Sequence, residues 1–258
     1  MLRSLRSELV KFRRPSLLLG TTAMVGFMGF GAYFGIDRAV AGGGPMGGRM
    51  LAELRTSQGL VALLGHVDLV VTAIVLITVS ANFGAEWSQG TLRNLLVREP
   101  RRLRLLAGKT VALLLYALGS AALAIAVGTA VAFVAANDHG LSTTPWTSSD
   151  GLSDLLKFGG NGALSIVGYS LLGMFVAVLT RSAPAAVGVS LAYALVVEGL
   201  LVSLVPDQAQ WLPGQVFTAL ASSSTTISYW QALAATVAWG AVLLAAGGAL
   251  FRFRDVTA

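Results

Sequence analysis

The sequence predicts an all-α integral membrane protein. It has six transmembrane helices, an amphipathic interfacial helix ahead of them, and a short cytoplasmic helix between the second and third. Three observations carry that prediction. Hydrophobic residues make up 55% of the 258-residue chain and charged residues only 12%, with mean hydropathy +0.74, whereas a soluble domain carries about a quarter charged residues. Six apolar stretches are each long enough to cross the hydrocarbon, which takes about 20 residues of helix. The basic residues, finally, crowd the segments that fall on one face of the membrane. A chain this poor in polar groups cannot cover its surface in water, so its solvent is a bilayer.

The stretches are residues 17–36, 60–82, 110–136, 162–180, 184–205 and 230–250. Four of them hold no Asp, Glu, Lys, Arg or His; the second holds His66 and Asp68, and the fifth Glu198. An even number of spans puts both termini on one side. Arg3, Arg6, Lys11, Arg13 and Arg14 precede the first span, and Arg93, Arg98, Arg101, Arg102, Arg104 and Lys109 lie between the second and third. Arg181 separates the fourth and fifth, and Arg252 and Arg254 follow the sixth, which leaves only Arg38, Arg49, Arg55 and Lys157 for the other side. Basic loops stay in the cytoplasm, so both termini face it. The formal charge of +6 then reflects topology, and no nucleic-acid partner is needed to explain it. Abundant Ala, Gly and Arg suit a GC-rich bacterial genome, hence a bacterial plasma membrane. Ala39-Val40-Ala41 imitates a signal-peptidase site, but the apolar run is too long, Glu8 sits ahead of it, and five more spans follow.

Several chemistries drop out. With no cysteine there is no disulfide, thiolate nucleophile or sulfur ligand. With His66 and His139 as the only imidazoles, no metal centre and no catalytic residue is expected.

Among the polar segments, residues 1–15 place Leu2, Leu5, Leu9 and Phe12 along one stripe and basic residues around the rest. That pattern is an amphipathic helix lying in the interface, its basic face toward lipid phosphates, with Pro15 bending the chain into span one. The glycine-rich run 42–48 reads as a flexible external link, and 137–161 as a polar external segment. Segment 206–229, with Trp211, Leu212, Pro213, Val216, Phe217 and Leu220, is too apolar for a solvated loop and is expected on, or dipping into, the outer part of the membrane. No internal repeat of the kind found in many secondary transporters is visible.

Segment 86–109 carries the strongest signal. Thr91 through Arg98 can form two helical turns with Leu92, Leu95 and Leu96 on one face, and Glu99-Pro100 ends them. Pro100 suits the first position of a second helix that runs on into span three. A compact, basic, partly apolar helix at the membrane face is a natural dock for a cytoplasmic partner. Gly108-Lys109-Thr110 imitates a phosphate-binding loop, but Leu103 stands where that pattern needs its first glycine. The chain is therefore not expected to hydrolyse ATP.

These features together resemble the permease subunits of ABC-2 type exporters. The resemblance rests on the basic start Ser7-Glu8-Leu9-Val10-Lys11-Phe12-Arg13-Arg14-Pro15 and on six spans with both ends inside. It rests also on Glu86, Gly90, Thr91, Leu92, Arg93, Leu96, Pro100, Arg104, Gly108 and Lys109 across the second helix end, the coupling helix and the start of the third. The apolar segment around Trp211-Leu212-Pro213 is similar too. The resemblance implies a transport subunit without catalysis of its own, paired with a second permease copy or a paralogue. A separate ATPase subunit would bind Mg-ATP, this chain would hold no cofactor, and an exported substrate would pass along the dimer. The residues implied in ATPase coupling are Glu86, Gly90, Thr91, Leu92, Arg93, Leu96, Pro100, Arg104 and Lys109, with Arg181 between spans four and five as a second contact.

Intramembrane acids usually face protein or water. Asp68, with Thr72 one turn on, and Glu198 fall in the outer halves of spans two and five, the helices that line the path in exporters of this kind. They are candidates for a substrate path, or else for polar contacts between helices. The alternative function is a proton-coupled secondary transporter using Asp68 and Glu198. An intramembrane enzyme would need a catalytic constellation that the sequence does not contain.

Overall fold

The computed structural model describes residues 15–42, 44–91, 102–222 and 227–253. The chain is a six-span, all-α membrane protein, and no strand forms among the described residues. In chain order the helices are α1 (Pro15–Val40), α2 (Gly44–Leu54), α3 (Gly59–Gly65), α4 (Asp68–Ser88) and α5 (Arg102–Asp138), then a 3-10 turn at Thr144–Thr147. There follow α6 (Ser149–Thr180), α7 (Ala183–Leu191), a π-helical segment Ala192–Val197, α8 (Glu198–Leu204), α9 (Pro206–Ala209), α10 (Pro213–Ser222) and α11 (Tyr229–Phe253). The spans are α1, α4, α5, α6, the run Ala183–Leu204, and α11. The expected N-terminal amphipathic helix over 1–15 and the short helix after Thr91 fall, apart from Pro15 and Thr91, outside the described residues.

Two sequence expectations are corrected, and the polar external segment gains its structure. The glycine-rich link is not open chain: α2 starts at Gly44, because Pro45 presets the backbone angle of a first turn and Met50 and Leu54 point inward. The second crossing helix begins at Asp68, not at residue 60. An apolar helix, α3, precedes it and ends at the His66–Val67 turn, which hydropathy alone cannot separate from a span. The polar stretch after span three is largely helical. α5 runs to Asp138, and α6 begins at Ser149, where the Ser148 hydroxyl accepts the Gly151 N–H at 3.1 Å as a cap. At 37 residues, α5 is about 55 Å long, well beyond a hydrocarbon core of about 30 Å.

The chain packs as two compact units. One draws on the described parts of Met1–Gly20, Ala73–Leu118 and Leu164–Ala258; the other on Thr21–Thr72 and Gly119–Ala163. In the first, the core gathers Tyr169, Leu172, Val216, Phe217, Leu220 and Leu243. Val216, Phe217 and Leu220 are fully buried, so these apolar residues of segment 206–229 are used in packing α10 against α6 and α11. Gly168 makes that possible: a Cβ there would lie 2.6 Å from the Phe217 ring. In the second unit Trp146 is the keystone. It is buried, meets Phe133 edge-on at 5.5 Å, and donates its indole N–H to the Leu54 carbonyl at 2.8 Å.

Candidate functional site

At the end where α4 stops and α5 starts, two oppositely charged side chains are buried together. Glu86 lies in the last turn of α4 and Lys109 two turns into α5, and the two form an ion pair with almost no solvent exposure. A membrane interior excludes either charge alone, so each makes the other tolerable. The helix end is closed by Gly90, whose φ of 65° is a left-handed cap that glycine adopts without strain. The Thr91 hydroxyl then donates to the Glu86 carbonyl at 3.2 Å, satisfying one of the orphan acceptors of the last turn.

The turn between α6 and α7 packs onto the same end of α4. Gly84 approaches so closely that a Cβ there would lie 2.8 Å from the Cα of Ala183. Arg181, with φ 55°, turns the chain sharply, and its guanidinium sits 5.6 Å above the Trp87 ring. The same indole meets Phe251 of α11 edge-on at 5.8 Å. Arg102, at the start of α5, donates to the Arg252 carbonyl at 3.3 Å. The structure thus joins Glu86, Gly90, Thr91, Lys109 and Arg181, all picked out from the sequence. Arg104 lies exposed in the first turn of α5, whereas Leu92, Arg93, Leu96 and Pro100 lie outside the described residues. Gly84, Trp87 and Phe251 were not anticipated, because their contacts depend on how α4, the 181–183 turn and α11 pack.

Glu198 is placed in a second polar cluster. It is 2% exposed and directly follows the π-helical segment. One carboxylate oxygen accepts the Gly214 N–H at 2.8 Å, the other the Gln215 amide at 3.4 Å, and the Tyr193 hydroxyl adds a third bond. The carboxylate therefore closes the first turn of α10, where backbone N–H groups lack helical partners and the helix dipole favours an anion. Gly214 is the residue that leaves it room, since a Cβ there would collide with the carboxylate. Tyr169 braces the same turn by donating to the Gly214 carbonyl at 3.0 Å. Sequence reasoning missed this partnership because a backbone N–H leaves no mark in the sequence.

Asp68 and Thr72, in the other unit, share one face of α4, Asp68 half-buried in its first turn and Thr72 buried. That position differs from the sequence expectation, which set Asp68 two turns inside a longer span. A carboxylate suits a helix N-terminus on dipole grounds alone.

Residues 53–252 match the family described as a protein of unknown function, DUF2705. The chain belongs to that family. The DUF2705 region takes in both clusters whole, from Glu86 and Lys109 to Glu198 and Gly214, and leaves α1 outside. No curated protein matches the chain. Among the described residues of this DUF2705 protein, no group of three His, Cys, Asp or Glu side chains is placed to hold a metal ion.

Proposed function

We propose that the chain is the permease subunit of an ABC-2 type exporter, working as a dimer with separate ATPase subunits that bind Mg-ATP. The observation that carries this reading is the braced end of α4 and α5. A buried Glu86–Lys109 pair locks together the two helices that flank segment 89–101, and the 181–183 turn is packed against the same end. A load applied by a partner at that segment would reach α4 and α5 together, and through Gly84 and Trp87 it would reach α6, α7 and α11. Rigid connection of two loops to five spans is what mechanical coupling to a motor requires.

In this reading ATP hydrolysis belongs to the partner, both termini are cytoplasmic, and the braced end faces the ATPase. Asp68 and Thr72 contribute to the path of an exported substrate. The three hydrogen bonds of Glu198 favour a positioning role over the proton exchange that a secondary carrier would ask of it.

The test is co-purification of the tagged chain from its native membrane with an ABC-type ATPase subunit, followed by ATP hydrolysis in nanodiscs. The chain alone should be inactive, the complex active, and Glu86→Ala or Leu92→Asp should reduce hydrolysis per assembled complex. Robust hydrolysis by the chain alone, or substrate movement driven by a proton gradient without any ATPase, would overturn the proposal.

A further inference from the structure

Inside α6 stands a run of residues that a helix interior does not favour. Gly159, Gly160 and Gly162 are separated only by Asn161, and all four are helical. Glycine has the most backbone freedom to lose, so it weakens a helix relative to alanine, and asparagine is a poor helix former as well. Glycine can serve a helix in two ways: it lets a neighbour come close, or it lets the backbone leave helical geometry. The other glycines of α6 that meet a neighbour serve in the first way. A Cβ at Gly151 would lie 2.5 Å from the Trp146 carbonyl oxygen, one at Gly168 2.6 Å from the Phe217 ring, and one at Gly173 3.2 Å from Leu76. The run is different, because a Cβ at Gly159, Gly160 or Gly162 would meet nothing within 4 Å. Alanine would fit at all three places, so close packing does not account for these glycines.

The run also lies where a helix can open at low cost. The boundary between the two compact units falls directly after it, between Ala163 and Leu164. Ahead of the run, α6 is held at its start by the Ser148 cap and the Trp146 turn. After the run, it is held by Phe217 and Leu76. A helix of about 20 residues crosses the hydrocarbon, and counted back from Thr180 that length is used up near Asn161. The glycines therefore sit at the membrane surface, at the end of α6 away from the Glu86 cluster. A helix that opened inside the hydrocarbon would strand its N–H and C=O groups, whereas at the surface water satisfies them.

We infer that residues 159–162 are a hinge in α6. The segment from Ser149 to Phe158 changes its tilt by opening the hydrogen bonds that cross the run, while Leu164 to Thr180 keeps its contacts with Phe217 and Leu76. Sharp bends in helices occur where the ladder is weak, glycine-containing pairs among them. The hinge frees the Trp146 end of α6 to move without pulling on Tyr169, which braces the Gly214 turn. The inference stands on α6 itself, independently of whether the protein is an ATP-driven permease.

The experiment is amide hydrogen exchange on the full-length protein in nanodiscs, read from overlapping peptides across α6. The N–H groups of residues 160–166 make the bonds that cross the run. They should exchange about tenfold faster, or more, than those of 153–158 and of 168–178, a weak stretch with protected turns on both sides. Gly159→Ala, Gly160→Ala and Gly162→Ala should each slow that exchange about fivefold without lowering the unfolding midpoint, since each methyl enters open space. Gly168→Ala is the contrast: it should lower the midpoint through Phe217 and slow nothing at 160–166. If the triple alanine variant does not assemble, Gly160→Ala decides alone. Uniform protection along α6, protection that rises steadily from Ser149 as in a fraying end, or alanine variants with unchanged exchange at 160–166 would each overturn the hinge.

Discussion

Two buried glutamates in one unit are made tolerable by opposite means. Glu86 meets a formal positive charge, Lys109, on another helix. Glu198 meets neutral donors: a backbone N–H, an amide and a hydroxyl. A charge–charge pair is strong only while both members are present, since losing one leaves the other stranded in low dielectric. A carboxylate held by dipoles has no such hostage, because its partners remain neutral when it is gone. The first arrangement therefore joins two helices in an all-or-none way, and the second positions a helix turn that can tolerate adjustment.

The largest expected effect tests that contrast directly. Glu86→Gln should destabilise the protein by about 3–5 kcal/mol, read as a large drop in the unfolding midpoint in detergent. Adding Lys109→Met should recover most of the loss, because the stranded cation is then gone. If the double variant were as unstable as the single, the ion pair would not be the reason for the cost. Next in size is Gly84→Val, at about 1–3 kcal/mol of overpacking, since its Cβ would press on the backbone at Ala183; this variant should also loosen the Arg181–Trp87 contact, seen as a change in Trp87 fluorescence.

Glu198→Ala should cost about 1–3 kcal/mol through unsatisfied donors, whereas Glu198→Gln should cost less than about 1 kcal/mol, because an amide oxygen still accepts from Gly214. A glutamine variant at 198 as damaging as one at 86 would erase the distinction between the two sites. A modest effect belongs to the other unit. Trp146→Phe removes one hydrogen bond to Leu54 for about 1 kcal/mol and should leave both glutamate clusters, probed by accessibility labelling, unaltered.

The six spans were legible because each is a long apolar run, and hydrophobicity is local. Their ends were less so. α3 and α4 merge in any hydropathy reading, since Leu60, Leu63 and Leu64 are as apolar as a span and only the turn at His66–Val67 divides them. α2 was hidden by its glycines, which score as linker although Met50 packs beside Gly35. Glu86 and Lys109 could each be singled out by charge, but that they neutralise each other depends on how α4 and α5 pack. The partners of Glu198 were beyond reach for a simpler reason: Gly214 is 16 residues away and acts through its main chain. The tryptophan at 146 was read within a polar external stretch, and its burial follows from the carbonyl it finds at Leu54.

The π-helical segment Ala192–Val197 has a consequence for helical phase. In an α-helix each residue advances the side-chain direction by about 100°, so widening the turn ahead of Glu198 resets the angle at which every later residue of the span emerges. Deleting one residue within 192–197, for instance Ala194, would let the span relax toward regular α geometry while rotating what precedes it relative to Glu198. The carboxylate could then remain on Gly214 only if α7 turned about its own axis. A one-residue deletion there is thus a rotation applied to half a transmembrane helix, delivered without changing a single contact-making side chain at the Glu198 cluster except Tyr193. Span five is built with an angular offset in its middle, and that offset is what aims an acid at a backbone amide.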